Sequence, residues 1–238
     1  MPVLIIGDDA VRFLGLEMTL PYPRAYQTLF IALLGLLVLY PVLAIYPPLD
    51  ALTDLFVGLV LVAAALASAT NGTQFRITMG IAALGFVLGF GASLLSADVP
   101  ALGAVGRLYG LAFLAYVAWH VLHDVVMVNR RVNAHMIYGA LCVYLLIGLT
   151  FAFAFSALES VVPGAIAGLD EGSENRTPLG EFTYFSFVSL TTLGFGDFYP
   201  VSPLARTLSY SEAIIGQIYL TVVLARLVAL YVAESRHD

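Results

Sequence analysis

Six apolar runs of about 20 residues constrain this chain more than any other feature of its sequence. A helix needs about 20 mostly apolar residues to cross a bilayer, because each residue adds only about 1.5 Å to its length. Turn-forming residues separate the runs, as in "YPPLD" and "NGTQ". The pattern predicts an all-α membrane protein with six transmembrane helices at about Ala25–Tyr46, Asp50–Thr70, Arg76–Leu95, Ala104–Val128, Ala134–Ala157 and Thr207–Val232.

The composition agrees with a bilayer as the solvent for most of the chain. Charged residues make up 11% of it, whereas a soluble domain has about 25%. The net charge of −6 argues against a nucleic-acid partner, which would need a basic face. Neither a nucleophile with a base nor a pair of carboxylates is placed for catalysis. We therefore expect neither an enzyme nor a bound cofactor.

The basic residues, all of them arginine, predict the orientation of the helices. If the helices alternate and the N-terminus is inside, one side receives Arg12, Arg24, Arg76, Arg130, Arg131 and Arg236. The positive-inside rule then favours a multi-pass protein of the cell membrane with both termini in the cytoplasm. In the N-terminal segment, residues 1–24, the shared helical face of Val11, Leu14 and Met18 favours a short interfacial helix.

A seventh apolar run, Leu179–Leu190, is too short to cross the membrane and lies between the fifth and sixth long runs. Thr177 and Pro178 are typical of a helix N-cap followed by proline at the first helical position. The sequence therefore predicts a re-entrant helix from about Pro178 to Thr191. The negative end of its dipole would point toward the bilayer centre, where it favours a cation.

The loop after this helix has the sequence "TTLGFGDFYP", in which Gly194 and Gly196 alternate with side-chain residues. Non-helical backbone at membrane depth is tolerated only where it is buried in protein or lines a watery cavity. Glycine reaches backbone angles closed to other residues, so the alternation lets consecutive carbonyls turn toward one line. Rings of such carbonyls can replace the water around a cation. Because one chain supplies only one loop, a ring requires a homotetramer.

The same residues resemble the selectivity filter of the potassium-channel family, whose usual form is Thr-Val-Gly-Tyr-Gly-Asp. Leu193 stands in place of valine and Phe195 in place of tyrosine. The resemblance extends over Ala134–Val232 and includes the inner helix. It implies a potassium-selective channel without a cofactor, with potassium as the permeant ligand, residues 25–130 as a four-helix voltage-sensor-like domain and residues 131–238 as the pore domain.

The resemblance also implies individual roles. Thr192, Leu193, Gly194, Phe195 and Gly196 would bind the ion. Thr191, Tyr184 and Asp197 would support the filter, with a hydrogen bond from Tyr184 to Asp197. Gly216 would be the gating hinge, and the inner cavity would be lined by Gln217, Leu220 and Leu224.

Two other functions stay open at this point, a weakly selective cation channel of the same architecture and a polytopic membrane scaffold or carrier. Strong voltage sensing is not expected, because it needs several regularly spaced arginines and the fourth run contains only Arg107.

Three polar side chains in the fourth run, His120, His123 and Asp124, share one helix face. They are either a metal or proton sensor or polar residues at the membrane interface. Glu212 near the start of the last run pairs with Arg206 in one interpretation and is a surface carboxylate in the other.

Overall fold

The computed structural model of the protein describes residues 11–13, 16–18, 25–43, 63–64, 77–85, 87, 100–127, 134–168 and 178–234. Most of these residues are helical, as predicted. The helices are α1 (Ala25–Leu43), α2 (Pro100–Met127), α3 (Ala134–Val161), α4 (Pro178–Leu190), α5 (Pro203–Ile218), a π-helical segment (Tyr219–Leu224) and α6 (Ala225–Glu234). Residues 77–85 are helical as well.

Within these ranges, three helical spans are long and apolar enough to cross a membrane, namely Val105–Val126, Met136–Val161 and Pro203–Ala233. They correspond to the fourth, fifth and sixth predicted helices. The apolar part of α1, Ala25–Leu39, is shorter. Most of the second predicted helix, Asp50–Thr70, lies outside the described residues.

The last long helix begins at Pro203, four residues earlier than predicted. The Ser202 side chain caps it by accepting a hydrogen bond from the Ala205 backbone N–H at 3.1 Å. Pro203 follows at the first helical position, where its missing N–H costs nothing. The sequence "VSPLAR" therefore has the same start signal that was recognised in Thr177-Pro178.

The fold also contains two short antiparallel sheets, so it is not purely helical. Strand β1 (Val11–Phe13) pairs with β2 (Leu16–Met18), so the interfacial helix predicted in residues 1–24 is wrong at these positions. The register of this pair sets Val11 opposite Met18 and Arg12 opposite Glu17. The other sheet pairs β3 (Ile166–Ala167) with β4 (Tyr199–Pro200).

Helix α3 occupies the centre, because α2 packs along one side of it and α4 along another. Val117 and Val121 of α2 are fully buried with Leu146 and Cys142 of α3, so the single cysteine of the chain is a core packing residue. On the α4 side, Phe155 lies edge-on to Phe185 with ring centroids 4.8 Å apart. Each such buried aromatic contributes about 1.5–3 kcal/mol. These contacts fix α4 against α3.

Candidate functional site

The short helix predicted before the glycine loop is present as α4, Pro178–Leu190. It ends in a tight turn, in which the Thr192 N–H donates to Ser189 O and the Leu193 N–H donates to Val188 O, both at 2.9 Å. The Thr191 hydroxyl donates to Phe187 O at 2.6 Å. The loop therefore starts directly at the carbonyl end of the helix, where the partial negative charge of the dipole lies.

Left-handed backbone alternates along this loop. Thr192 has φ 58°, Gly194 φ 57° and Gly196 φ 82°. Leu193 and Phe195, which lie between them, do not have positive φ. The glycine positions were expected, but Thr192 was not. A β-branched residue with positive φ is a strained outlier, and strain of this kind concentrates at functional sites. No local sequence signal predicts it.

Tyr184 and Asp197 form the hydrogen bond that the resemblance implied. The Tyr184 hydroxyl donates to Asp197 Oδ2 at 2.7 Å, and the Phe198 N–H donates to Asp197 Oδ1 at 3.0 Å. The bond from Tyr184 lowers the pKa of Asp197, slight burial opposes this, and the backbone N–H groups add to it. The same bond raises the pKa of Tyr184. Asp197 thus acts as a carboxylate acceptor that ties the end of the loop to α4.

A second tie, which the sequence did not predict, holds the chain as it leaves the loop. Strand β4 pairs with β3, and the Val201 N–H donates to Ala165 O at 2.8 Å. Gly168 has φ 93°, and any side chain there would collide with the Asp197 carbonyl. The segment after α3 thus contacts the chain where it leaves the glycine loop. Strands of two residues are too short to show an alternating pattern, which explains the omission.

Gly216 of α5 lies against the last residue of α4. A Cβ atom at Gly216 would lie 2.5 Å from the Leu190 carbonyl oxygen, so only glycine fits without a shift of backbone. The structure thus gives Gly216 a packing role, and its role as a gating hinge stays a prediction. One residue further, Gln217 Nε2 lies 3.5 Å from Thr192 Oγ1. Gln217 therefore approaches the start of the loop, and its place in the lining of the inner cavity stays a prediction.

The π-helical segment changes which side chains continue this face. A π-helix has a wider turn than an α-helix, so side chains four residues apart, such as Leu220 and Leu224, do not lie directly above one another in it. Leu224 is partly buried against the hydrophobic core, and its place in the inner cavity stays a prediction. Leu220 is half-buried and its lining role stays a prediction.

Comparison with known proteins bears on this part of the chain. Residues 139–233 match the family model described as an ion channel. A stretch of 103 residues is 34% identical to the inward rectifier potassium channel Kirbac3.1 of Paramagnetospirillum magnetotacticum. That stretch covers 42% of this chain and 30% of that protein. No solved structure matches.

The two similarities are to channels and point to a channel rather than to an enzyme, and an ion channel needs no cofactor. Together with the long apolar helices, they support a membrane protein. The ion-channel region includes α4, the glycine loop and α5. It therefore coincides with the part of the structure in which the predicted side chains come together.

Glu212, within the ion-channel region, fits neither of its two sequence interpretations. It is fully buried, so it is not a surface carboxylate. Arg206 is turned elsewhere, because its Nε donates to the Pro200 carbonyl at 3.3 Å. Glu212 Oε1 lies instead 2.5 Å from the Ser186 hydroxyl on α4. Nothing in the local sequence identified Ser186, because the two residues are 26 positions apart.

The metal site predicted outside the ion-channel region does not form. Asp124 Oδ2 accepts a hydrogen bond from the Tyr26 hydroxyl at 2.6 Å, the His120 ring lies 4.5 Å from the Tyr116 ring, and His123 is exposed. Across the described ranges no group of three or more His, Cys, Asp or Glu residues could hold a metal ion. Asp124 links α2 to α1, so the metal prediction is wrong.

Proposed function

We propose that this chain is a potassium-selective channel, which conducts potassium passively through a pore made by four copies. The observation that supports this best is the alternation of left-handed backbone at Thr192, Gly194 and Gly196. An ordinary extended segment turns successive carbonyls to opposite sides. When every second residue is left-handed, successive carbonyls can turn to the same side. A row of carbonyls on one side is what a filter for dehydrated cations needs.

The surroundings of the loop agree with that use. The carbonyl end of α4 provides partial negative charge beside the loop, and the Tyr184–Asp197 bond holds the far end. Leu193 is 58% exposed and Phe195 64% exposed in the single chain. Apolar side chains of this size are normally covered, and neighbouring copies in a homotetramer would cover them. In this proposal Thr192, Leu193, Gly194, Phe195 and Gly196 bind the ion, with support from Thr191.

Potassium, rather than cations in general, is proposed on two grounds. The loop resembles the potassium-channel filter, and the relative from Paramagnetospirillum magnetotacticum is named a potassium channel. Residues 131–238 would form the pore domain, and residues 25–130 a sensor-shaped domain without strong voltage dependence. The arginine distribution continues to favour cytoplasmic termini in a multi-pass arrangement.

The test compares potassium and sodium flux in liposomes that contain the purified protein. We expect potassium flux well above sodium flux, and we expect Gly196→Ala to abolish it, because φ 82° strains alanine. Gly164→Ala is the matched control. Gly164 also has a positive φ of 78° and open space around its Cβ position, but it lies outside the loop.

Three outcomes separate the candidate functions. If no potassium flux occurs, or if Gly196→Ala leaves it unchanged, a membrane scaffold or carrier replaces the channel. Equal permeability of potassium and sodium in bi-ionic reversal potentials would instead identify a weakly selective cation channel. Leu193→Val, which introduces the usual valine of the potassium-channel filter, would then be the first variant to test.

A further inference from the structure

Glu212 is a buried acid for which the described residues provide no basic partner. It lies on α5, its exposed fraction is 0%, and within the described part of the chain its Oε2 atom has no hydrogen-bond partner. Two charged residues on the elements around it are engaged elsewhere. Arg206 of α5 donates to Pro200 O, and Glu159 of α3 accepts from the Gly164 and Ile166 N–H groups. An isolated ionised carboxylate in such a place is very unfavourable.

Ser186 is the single hydrogen-bond contact of Glu212 in the described structure, and it is fully buried as well. Its hydroxyl oxygen lies 2.5 Å from Glu212 Oε1 and 2.6 Å from the Gly148 carbonyl oxygen of α3. Helix α4 can lie this close to α3 because residue 148 is a glycine. A Cβ atom at Gly148 would lie only 2.7 Å from the Phe187 ring of α4. Three helices, α3, α4 and α5, therefore meet at one serine hydroxyl.

A count of protons determines the state of Glu212. Two oxygen–oxygen contacts of about 2.5–2.6 Å need one proton each. The serine hydroxyl supplies one proton, and the Gly148 carbonyl supplies none. The second proton must therefore belong to Glu212. With an ionised Glu212, one of the two short contacts would hold two oxygen acceptors together without a hydrogen, which is repulsive.

We propose that Glu212 is a positioning residue of the pore that acts as a neutral carboxylic acid. Its hydroxyl donates to Ser186, and Ser186 donates to the Gly148 carbonyl. This relay fixes α4, and with it the start of the glycine loop, between α5 and α3. The inference rests on the proposed function, because the loop that is positioned is the proposed filter.

The relay is part of a regular contact between α4 and α5. Glu212 meets Ser186, and four residues later on each helix Gly216 meets Leu190. Positions i and i+4 share a helix face, so the two contacts are successive steps on the same pair of faces. Leu190 is the last residue of α4. A change at Glu212 is therefore transmitted one turn along α4 to the point where the loop begins.

Infrared spectroscopy tests the proton directly. The difference spectrum of the wild-type protein minus Glu212→Gln, recorded in liposomes at neutral pH, should contain the C=O band of a protonated carboxylic acid. The matched control is Glu159→Gln, because Glu159 accepts two backbone N–H bonds as a carboxylate does. Its difference spectrum should contain carboxylate bands. Carboxylate bands from Glu212 would overturn the proposal.

A second variant keeps this test decisive if Glu212→Gln does not assemble. Ser186→Ala retains Glu212 but removes the atom that accepts its proton. The acid band should then move to higher frequency, as expected for a carboxylic acid that has lost its hydrogen bond. An unmoved band would show that Glu212 does not donate to Ser186.

Potassium flux tests the positioning role. Glutamine keeps the shape and a donor group, so Glu212→Gln should retain flux within about twofold of the wild type, whereas Glu212→Ala should lower it about tenfold. Equal flux in all three proteins, or equal loss in both variants, would refute the relay. If the wild type itself conducts no potassium, the proposed function fails, while the infrared result still decides the state of Glu212.

Discussion

Helix α4 is held on two faces by contacts of opposite character. On the exposed face, Tyr184 donates to Asp197, which is exposed to solvent and accepts as a carboxylate. On the buried face, Ser186 meets Glu212, for which we infer a neutral acid that donates. Two acidic residues thus hold the same helix from two sides in different protonation states. The difference shows that the surroundings, rather than the residue type, determine what each carboxyl group contributes.

The buried face should be the more sensitive of the two, and Gly216→Ala is expected to have the largest effect. The new Cβ would lie 2.5 Å from the Leu190 carbonyl, a backbone atom that cannot turn away. Overpacking of this kind costs about 1–3 kcal/mol and would push α5 from the end of α4. We expect a lower midpoint of thermal unfolding in detergent and a loss of potassium flux.

Gly80→Ala is the control for this prediction. Gly80 is helical, and no atom of the described residues lies within 4 Å of its Cβ position. Alanine favours the helix there by up to about 1 kcal/mol, so the unfolding midpoint should stay or rise. If Gly216→Ala behaves like Gly80→Ala, the close contact between α4 and α5 is wrong.

Ser186→Ala should have the next largest effect on stability. It leaves the buried Glu212 acid without its only described partner and removes a bond to Gly148, at a cost of about 1–3 kcal/mol. The unfolding midpoint measures this loss. Ser160→Ala is the matched control, because the exposed Ser160 hydroxyl also donates to a carbonyl, Ala157 O, at 2.7 Å. A midpoint as little changed in Ser186→Ala as in Ser160→Ala would contradict the inferred difference between buried and exposed contacts.

The contact on the exposed face was implied by the resemblance to potassium channels, whereas the contact on the buried face was not predicted. Tyr184 and Asp197 are 13 residues apart and lie within the short helix and loop that carry the resemblance. Ser186 and Gly148 are 38 residues apart, and their contact depends on how α3 packs against α4. No local pattern reports such packing, and Glu212 was therefore assigned to Arg206 or to the surface.

The error at residues 11–18 has the same physical origin. There a helical spacing of apolar residues competed with strand pairing, and the backbone of β1 paired with that of β2. The π-helical segment, Tyr219–Leu224, shows the same limit, because no local pattern indicated the change of helix type. In both places the residue pattern was present, but strand pairing or a local change of helix type determined the backbone geometry.

Tyr184→Phe, on the exposed face, should have the smallest effect on stability and should act mainly through pH. In the wild type the hydrogen bond from Tyr184 lowers the pKa of Asp197. Because this pKa is lowered, the stability that the Asp197 carboxylate contributes is fully present above the ordinary pKa of about 3.9. It is lost only as the pH falls through the lowered value. Without the phenol hydroxyl, the pKa returns toward the ordinary value. Potassium flux should therefore fail at a higher pH in Tyr184→Phe than in the wild type, with little change at neutral pH.

The control is Tyr210→Phe, at an exposed tyrosine of α5. It should not change the acid limit, which is the pH below which potassium flux fails. If the acid limits of Tyr184→Phe and the wild type coincide, Asp197 does not hold the loop as a carboxylate, and the two faces of α4 do not differ in the way inferred.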